Sequence, residues 1–237
     1  MDPVVMEQFA GESHTPHPFY PRGLVLDHYV PNTDSMEKTV GIVFAAFGAI
    51  ILGALAVGYQ RRSSTIRGIG SQLTFVWLVT CGFTHLILEG YYVVFHKTLA
   101  GQNSPLAQIW KEYSLADSRY LTSDPTVLGI EAITAFAWGP LAFYTAFAQY
   151  YDLPSRHILQ LIVSLGQLYG SVIYYFTTLF EGSPHGDPDP YYFYFYFIHF
   201  NAWWVFVPIL LMYSSIKHLY RPNNTSAKGK KEKKKHH

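Results

Sequence analysis

The sequence predicts an all-α integral membrane protein in which five transmembrane helices form one bundle around a pocket inside the membrane. Three observations lead to this prediction. Five stretches of the chain are apolar over about 20 residues, the length that crosses a bilayer. Only 14% of the residues are charged, and 49% are hydrophobic, whereas soluble domains carry roughly 25% charged residues. A histidine and two carboxylates nevertheless lie inside two of the apolar stretches.

Each apolar stretch predicts one membrane-spanning helix. The five helices are expected at residues 40–59, 72–95, 127–151, 158–180 and 191–216. The first stretch is rich in Gly and Ala and holds no acid or base, which indicates a lipid-facing or packing helix. The third and fifth contain Pro140 and Pro208. Membrane helices tolerate proline because neighbouring groups bond the carbonyl that proline leaves free.

The basic residues predict the orientation of these helices, because cytosolic loops carry an excess of Lys and Arg. With a lumenal N-terminus, twelve of the seventeen basic residues face the cytosol: Arg61, Arg62, Arg67, Arg156, Lys217, Arg221, Lys228, Lys230, Lys231, Lys233, Lys234 and Lys235. The predicted organisation is a lumenal arm at 1–37, a five-helix membrane domain at 38–219 and a basic cytosolic tail at 220–237. The net charge of +1 gives no indication of a nucleic-acid partner.

The tail carries two motifs. Lys234-Lys235-His236-His237 ends the chain with lysines at the fourth and third positions from its end, and it resembles the dilysine signal that returns membrane proteins to the endoplasmic reticulum. The alternatives are a disordered basic arm at the membrane surface and, for the histidines, an introduced tag. Asn223-Asn224-Thr225 fits the glycosylation pattern, and we expect it to be unmodified because the tail is cytosolic.

The most informative residues are His85, Glu89 and Glu131, which lie inside the second and third apolar stretches. A charge at bilayer depth costs about 2.5–3.5 kcal/mol on insertion scales, so such residues usually face a cavity and act there. His85 and Glu89 are four residues apart and therefore share a helical face. The pattern predicts a functional site within the membrane.

Polar and aromatic residues accompany this site at helical spacing. Thr134 and Trp138 follow Glu131 by three and seven residues, and Asn201 and Trp204 share a face of the fifth helix. Counting about 1.5 Å per residue from the middle of each helix places the ionisable residues and Asn201 in the lumenal half of the membrane. We therefore expect one site built from three helices.

Structural explanations exist for each of these residues. His85 could be a hydrogen-bonded packing histidine, and Glu89 could reach towards lipid headgroups. Thr134 could bond only a carbonyl of its own helix, and the tryptophans could be packing or interfacial aromatics. His199 falls on another face of the fifth helix and is expected to be structural. The segment from Trp110 to Tyr120, in the loop between the second and third helices, could be a solvated surface or a lid over the pocket.

Acid–base chemistry on an apolar substrate suits these residue types best. One histidine with two carboxylates is a poor metal site, and the chain offers neither a Ser-His-Asp arrangement nor a glycine-rich phosphate loop. A His–Glu pair in a dry pocket can pass a proton. A second carboxylate and an indole ring suit a cationic intermediate, through charge pairing and cation–π attraction.

At these residues the chain resembles the emopamil-binding protein family, the 3β-hydroxysteroid Δ8,Δ7-isomerases of sterol synthesis. The resemblance covers about 200 residues, from the His17-Pro-Phe-Tyr-Pro segment to the fifth helix. It is carried by Cys81-Gly-Phe-Thr-His85-Leu-Ile-Leu-Glu89-Gly, Trp110-Lys-Glu-Tyr, Asp117-Ser-Arg-Tyr120, Glu131-Ala-Ile-Thr134, Trp138-Gly-Pro140, Leu159-Gln-Leu, Gly166-Gln-Leu-Tyr-Gly170 and Asn201-Ala-Trp-Trp204.

The resemblance implies a dimeric five-helix protein of the endoplasmic reticulum that encloses a sterol within the membrane. It implies an isomerase that moves the 8(9) double bond of a Δ8-sterol to 7(8), by protonation at C9 and deprotonation at C7, with no cofactor. The family's functional positions correspond to His85, Glu89, Glu131, Thr134, Asn201 and Trp204. Cationic amphiphilic amines would bind as mimics of the C8 cation, and the order of donor and base within the His–Glu pair stays open.

Two other functions are compatible with the pattern. Relatives of this fold that bind sterols or amphiphilic amines without isomerising them make a non-catalytic binding protein the alternative. The complete set of site residues favours the enzyme. A proton-coupled transporter would need polar residues in both halves of the membrane, and those of this chain lie mainly in the predicted lumenal half.

Overall fold

The computed structural model describes residues 15–26 and 28–220, and every regular element in this part of the chain is helical. Five helices are long and apolar enough to cross a membrane: Met36–Tyr59, Gly68–Phe95, Pro125–Tyr150, Arg156–Phe180 and Tyr192–Leu219. They are the first to fifth long helices below. The prediction of five spanning helices is confirmed, and each predicted end lies within four residues of the observed one.

Polar caps explain why the first and third long helices begin before their apolar stretches. The Ser35 side chain accepts a hydrogen bond from the backbone N–H of Lys38. The Asp124 carboxylate accepts from the N–H groups of Thr126 and Val127, and Pro125 occupies the first turn, where its missing N–H costs nothing. These caps bond backbone donors that have no partner inside the helix.

The second to fifth long helices form the bundle, and the first lies at its side. The fourth and fifth pack along each other, and the second packs against the third. The first contacts the second and a short helix, Pro105–Tyr113, and it is largely exposed, as its Gly- and Ala-rich sequence indicates. An apolar groove of about 530 Å³ lies beside it, and the lining residues are Ala49, Ile50, Gly53, Ala54, Val57, Phe75, Val79 and Phe83.

The loop between the second and third long helices is folded into the protein. It holds a turn of 3₁₀ helix, Leu99–Gly101, and two short helices, Pro105–Tyr113 and Arg119–Thr122. These two are the loop helices below. Trp110 and Tyr120 belong to the main hydrophobic core, and Lys111 and Arg119 are buried as well. The solvated-surface alternative for this segment is therefore wrong.

Buried charges in this loop have defined partners. The Arg119 guanidinium lies 2.7 Å from the Asp117 carboxylate, and both side chains are almost completely buried. Tyr174 of the fourth long helix donates to the same carboxylate at 2.8 Å, and Arg119 also donates to Thr178. The pair thus fastens the loop to the fourth long helix. Hydrogen bonding to Asp117 and its negative charge raise the pKa of Arg119 against the opposing effect of burial.

The basic tail beyond Tyr220 lies outside the described residues, as does the arm up to residue 14. The retrieval motif at Lys234-Lys235 and the glycosylation sequence at Asn223 therefore stay predictions.

Candidate functional site

Two π-helical turns face each other where the second and third long helices cross. They are Thr84–Glu89 and Thr134–Trp138. Glycines make the crossing close: a Cβ atom built on Gly139 would lie 3.2 Å from both the Cβ atom of His85 and the backbone nitrogen of Leu86. Pro140 is the second residue after this turn, and the widened π turn before it accommodates a residue without an N–H.

A side chain from the loop completes the first π turn. The indole Nε1 of Trp110 donates to the carbonyl of Leu88 at 2.9 Å. A π turn disturbs the regular carbonyl pairing of an α-helix, and an unpaired carbonyl in an apolar setting is costly. The loop helix therefore helps to hold the part of the second long helix that carries His85 and Glu89.

His85 and Glu89 are in direct contact. Nδ1 of His85 lies 2.7 Å from Oε2 of Glu89; the histidine side chain is 1% exposed and the glutamate side chain 14%. The prediction that these residues point the same way is confirmed, although the intervening turn is π-helical. The pair can share a proton along this short hydrogen bond.

Gln167 of the fourth long helix forms a hydrogen bond with the other ring nitrogen of His85. Its Nε2 lies 2.9 Å from Nε2 of the imidazole, and the glutamine is buried. Both nitrogens of His85 are thus engaged, one by a carboxylate and one by an amide.

Trp204 lies next to this histidine, and Trp77 lies next to Trp204. The centre of the Trp204 ring is 6.1 Å from that of His85 and 5.7 Å from that of Trp77. The Nε1 groups of both tryptophans are buried without a hydrogen-bond partner. Trp204 therefore brings the fifth long helix to the His–Glu pair, as the sequence predicts.

Glu131 reaches the site from the third long helix. Its side chain is buried, and Oε1 accepts a hydrogen bond of 2.6 Å from the hydroxyl of Tyr120. It interacts electrostatically with both Glu89 and His85. Three ionisable side chains therefore interact in this part of the bundle, one from the third long helix and two from the second.

Tyr120 is held in place by other rings. Its ring stacks on Trp110 at 4.7 Å and meets Tyr92 and Tyr113 edge-on at 4.9 and 5.4 Å. Burial raises the pKa of the Tyr120 hydroxyl well above its usual value, and the charge of Glu131 raises it further. The hydroxyl therefore stays protonated and donates to Glu131 at every physiological pH.

Asn201 is oriented by the same loop. Its Nδ2 donates to the hydroxyl of Tyr113 and to the carbonyl of Phe197, both at 2.7 Å. Phe197 belongs to the third π turn, Tyr192–His199, and Tyr175 bonds the next carbonyl, that of Ile198. The Tyr113 ring thus connects Asn201 to Tyr120, which donates to Glu131.

The other predicted site residues have structural contacts. Thr134 donates to the carbonyl of Ile130 in its own helix at 2.9 Å. The Trp138 ring covers Gly166 so closely that any Cβ atom there would displace it. His199 is exposed and packs between Phe195 and Trp203, as expected of a structural residue. In the part of the chain that the structure describes, no three His, Cys, Asp or Glu side chains are grouped to hold a metal ion.

Gln167, Tyr120 and Tyr113 were not assigned to the site from sequence, although they bond His85, Glu131 and Asn201 directly. All three lie in strings that carry the family resemblance. Their contacts connect residues 82, 11 and 88 positions apart, and helical spacing along one segment cannot predict such pairs.

Comparison with known proteins identifies the family. The model for EXPERA, the expanded EBP superfamily, matches residues 105–215. A guinea pig (Cavia porcellus) protein named 3-beta-hydroxysteroid-Delta(8),Delta(7)-isomerase is 38% identical over 88% of this chain and 91% of its own length. The mouse (Mus musculus) protein of that name is 40% identical over 86% and 88%. The rat (Rattus norvegicus) protein is 38% identical over the same shares. With this similarity over most of its length, the chain belongs to the 3-beta-hydroxysteroid-Delta(8),Delta(7)-isomerase family within the EXPERA superfamily.

Proposed function

We propose that this protein is a sterol isomerase that moves the 8(9) double bond of a Δ8-sterol to 7(8) inside the membrane. The observation that carries the proposal is the buried His85–Glu89 hydrogen bond with the Glu131 carboxylate beside it. A proton-sharing pair next to a second acid is what this reaction needs. Membership of the isomerase family supports the same conclusion.

The reaction consists of two proton transfers. The electron pair of the 8(9) π bond forms a C9–H bond with a proton from the His–Glu pair, which leaves a cation at C8. The C7–H bond then breaks, its electrons form the 7(8) π bond, and the proton returns to a protein base. The reaction is redox-neutral, so it requires no cofactor.

The geometry favours Glu89 as the residue that exchanges protons with the sterol. Both nitrogens of His85 are already bonded, and that side chain is almost fully buried. Glu89 is more exposed and has a second carboxylate oxygen free of the histidine. His85 then acts as the proton reservoir behind Glu89.

We assign the remaining residues to the cation and to substrate orientation. Glu131 would balance the positive charge at C8, and the Trp204 ring would face it through cation–π attraction. Asn201, and more weakly Thr134 and Trp138, would orient the sterol in an enclosed pocket between the long helices. A protonated amphiphilic amine would occupy the same place as the cation.

The same proposal includes the cellular setting. The enzyme would be a multi-pass homodimer of the endoplasmic reticulum membrane, with its N-terminus lumenal and its C-terminus cytosolic. The five long apolar helices support the multi-pass topology, and the distribution of basic residues supports its orientation.

Complementation of a yeast strain deficient in Δ8,Δ7-isomerase tests the proposal. We expect the chain to restore growth and to convert the accumulated Δ8-sterol to its Δ7 isomer, measured by mass spectrometry. Persistent Δ8-sterol despite normal expression would contradict isomerase activity. If the purified protein then still bound the sterol, the non-catalytic binding function would replace it.

A further inference from the structure

Gln167 contacts the His–Glu pair but takes no part in the proton transfers of the proposed reaction. Its amide nitrogen lies 2.9 Å from Nε2 of His85, on the opposite side of the ring from Glu89. The Cys81 thiol, one turn before His85 in the second long helix, also interacts with the Gln167 side chain. The amide oxygen of Gln167 is buried and has no hydrogen-bond partner.

These contacts determine which ring nitrogen carries the proton. An amide –NH₂ group only donates hydrogen bonds, whereas neutral imidazole has one donor and one acceptor nitrogen. Nε2 of His85 must then be the acceptor, and the ring proton is on Nδ1, where it points to the Glu89 carboxylate. Gln167 thus donates to His85, and His85 donates to Glu89.

We propose that Gln167 is a positioning residue that holds His85 as the Nδ1–H tautomer, with its proton directed to Glu89. The Nδ1–H group then orients the ionised Glu89 carboxylate, which in this state is ready to accept a proton. His85 returns a proton to Glu89 only from its imidazolium form, which loses the proton on Nδ1 and keeps the one on Nε2. The inference rests on the proposed function, because this orientation matters only if Glu89 exchanges protons with the sterol.

The unpartnered amide oxygen gives Gln167 a second state. When His85 takes up a proton and becomes imidazolium, both ring nitrogens are donors. A half-turn of the amide then places its oxygen against Nε2–H and satisfies that atom. Gln167 can thus accompany His85 through both protonation states without a charge of its own.

The charged neighbours of His85 come from two helices. Glu89 lies on the same helix and Glu131 on the third long helix, and both interact with the site electrostatically. The Cys81 thiol lies one turn away. The fourth and fifth long helices contribute Gln167 and Trp204, which carry no charge. A change in His85 protonation must therefore be measured with both carboxylates intact.

The decisive measurement is ¹⁵N NMR of histidine-labelled protein in lipid nanodiscs, with the His85 signals assigned by their loss in His85→Gln. We expect the wild type at neutral pH to be protonated at Nδ1 and unprotonated at Nε2. In Gln167→Glu, a carboxylate faces Nε2 and can accept a hydrogen bond from it, so we expect both ring nitrogens to be protonated at neutral pH. The pH profile of kcat should change as well.

Two further variants separate positioning from packing. Gln167→Met keeps the volume but removes the hydrogen bond, and we expect kcat to fall about five- to tenfold with KM changed less than about twofold. The matched control is Gln160→Met, on the same helix two turns earlier, because that buried amide donates to the Leu211 carbonyl instead. It should leave the ¹⁵N signals of His85 and the pH profile unchanged.

Different experimental results would contradict the role of Gln167 and the proposed isomerase function. A wild-type proton on Nε2, or His85 signals and a pH profile that do not respond to Gln167→Glu, would overturn the role of Gln167 even in an active isomerase. Lack of isomerase activity in a protein with the expected tautomer would instead overturn the proposed reaction.

Discussion

At the scale of single residues, the proposed chemistry depends on the His85–Glu89 hydrogen bond. We propose different tasks for the two side chains, because both ring nitrogens of His85 are bonded whereas Glu89 contacts the histidine through one carboxylate oxygen. We expect Glu89→Gln to lower kcat by about 10²–10⁴-fold, the usual range for a general acid–base group. His85→Ala should cost at least about tenfold, since Glu89 would have to exchange its proton by another route.

Steady-state kinetics in detergent or nanodiscs measure both effects, with sterol binding as the control for folding. A loss below about tenfold in both variants would contradict the proton-relay role. Tight binding of an amphiphilic amine to the inactive Glu89→Gln protein would show that the site itself is intact.

The second prediction at this scale concerns the Tyr120–Glu131 hydrogen bond. Tyr120→Phe removes only the hydroxyl, because the ring is held by Trp110, Tyr92 and Tyr113. A hydrogen bond to a charged group contributes about 1.5–3 kcal/mol, so we expect kcat/KM to change by about 10- to 150-fold.

The direction of this change shows whether the Tyr120 hydroxyl helps or hinders Glu131 in stabilising the C8 cation. If the hydroxyl orients Glu131 towards the C8 cation, kcat/KM falls. A rise would mean that the free carboxylate stabilises the cation better, and no change would contradict the placement of Glu131 in the site. Tyr29→Phe is the matched control, since that tyrosine belongs to the same core cluster but lies in the N-terminal segment.

At the scale of elements, the crossing of the second and third long helices is the critical contact. A methyl group on Gly139 would press on the backbone of Leu86 and on His85 at 3.2 Å, and backbone yields less easily than a flexible side chain. We expect Gly139→Ala to push the helices apart, lower kcat several-fold and reduce the melting temperature. Gly129→Ala is the control on the same helix, since its Cβ would meet nothing within 4 Å.

Activity and thermal unfolding of the two alanine variants check this prediction. Equal behaviour of Gly139→Ala and Gly129→Ala would show that the π turns tolerate a wider crossing.

The loop helix Pro105–Tyr113 supplies a prediction of pH dependence. The Lys111 ammonium is buried against the carbonyl of Val30 and the side chain of Asn103, at 2.6 and 2.8 Å. Burial lowers its pKa from 10.5 to about 8. Between these two values the unfolded chain binds more protons than the folded one, so the contribution of Lys111 to stability increases as pH rises from 8 to 10.5.

Melting temperatures of the wild type and Lys111→Met across this range measure the contribution. We expect the difference between the two proteins to shift in favour of the wild type as the pH rises. Parallel pH curves would mean that Lys111 keeps its ordinary pKa in the folded protein.

The long helices and the loop differ in how far sequence predicts them. A run of apolar residues determines each long helix locally, which is why all five were predicted to within a few residues. The shared face of His85 and Glu89 follows from their spacing alone. The π turns could not be predicted, because the Leu88 and Ile198 carbonyls are bonded by Trp110 and Tyr175 from other elements. The burial of Lys111 and Arg119 likewise depends on tertiary contacts, against the usual surface preference of these residues.

At the scale of the whole molecule, the site depends on the loop between the second and third long helices as well as on the bundle. The loop helices bond Leu88, Glu131 and Asn201, one residue on each of the three long helices that form the site. The Arg119–Asp117 pair fastens this loop to the fourth long helix. Removal of one partner from such a buried pair costs about 3–5 kcal/mol, so the loop and the site are expected to lose their structure together.

Orientation in the membrane determines on which side this loop lies. The loop between the second and third long helices must be on the same side as the N-terminus, because two helices separate them. The positive-inside rule predicts that both are lumenal and that the arginines at 61, 62 and 67 are cytosolic. We expect a glycosylation acceptor introduced in the N-terminal arm to be modified in microsomes, and Asn223 to stay unmodified, as measured by the mobility shift on deglycosylation. A glycan on Asn223 would reverse the topology and place the loop that holds Glu131 on the cytosolic side.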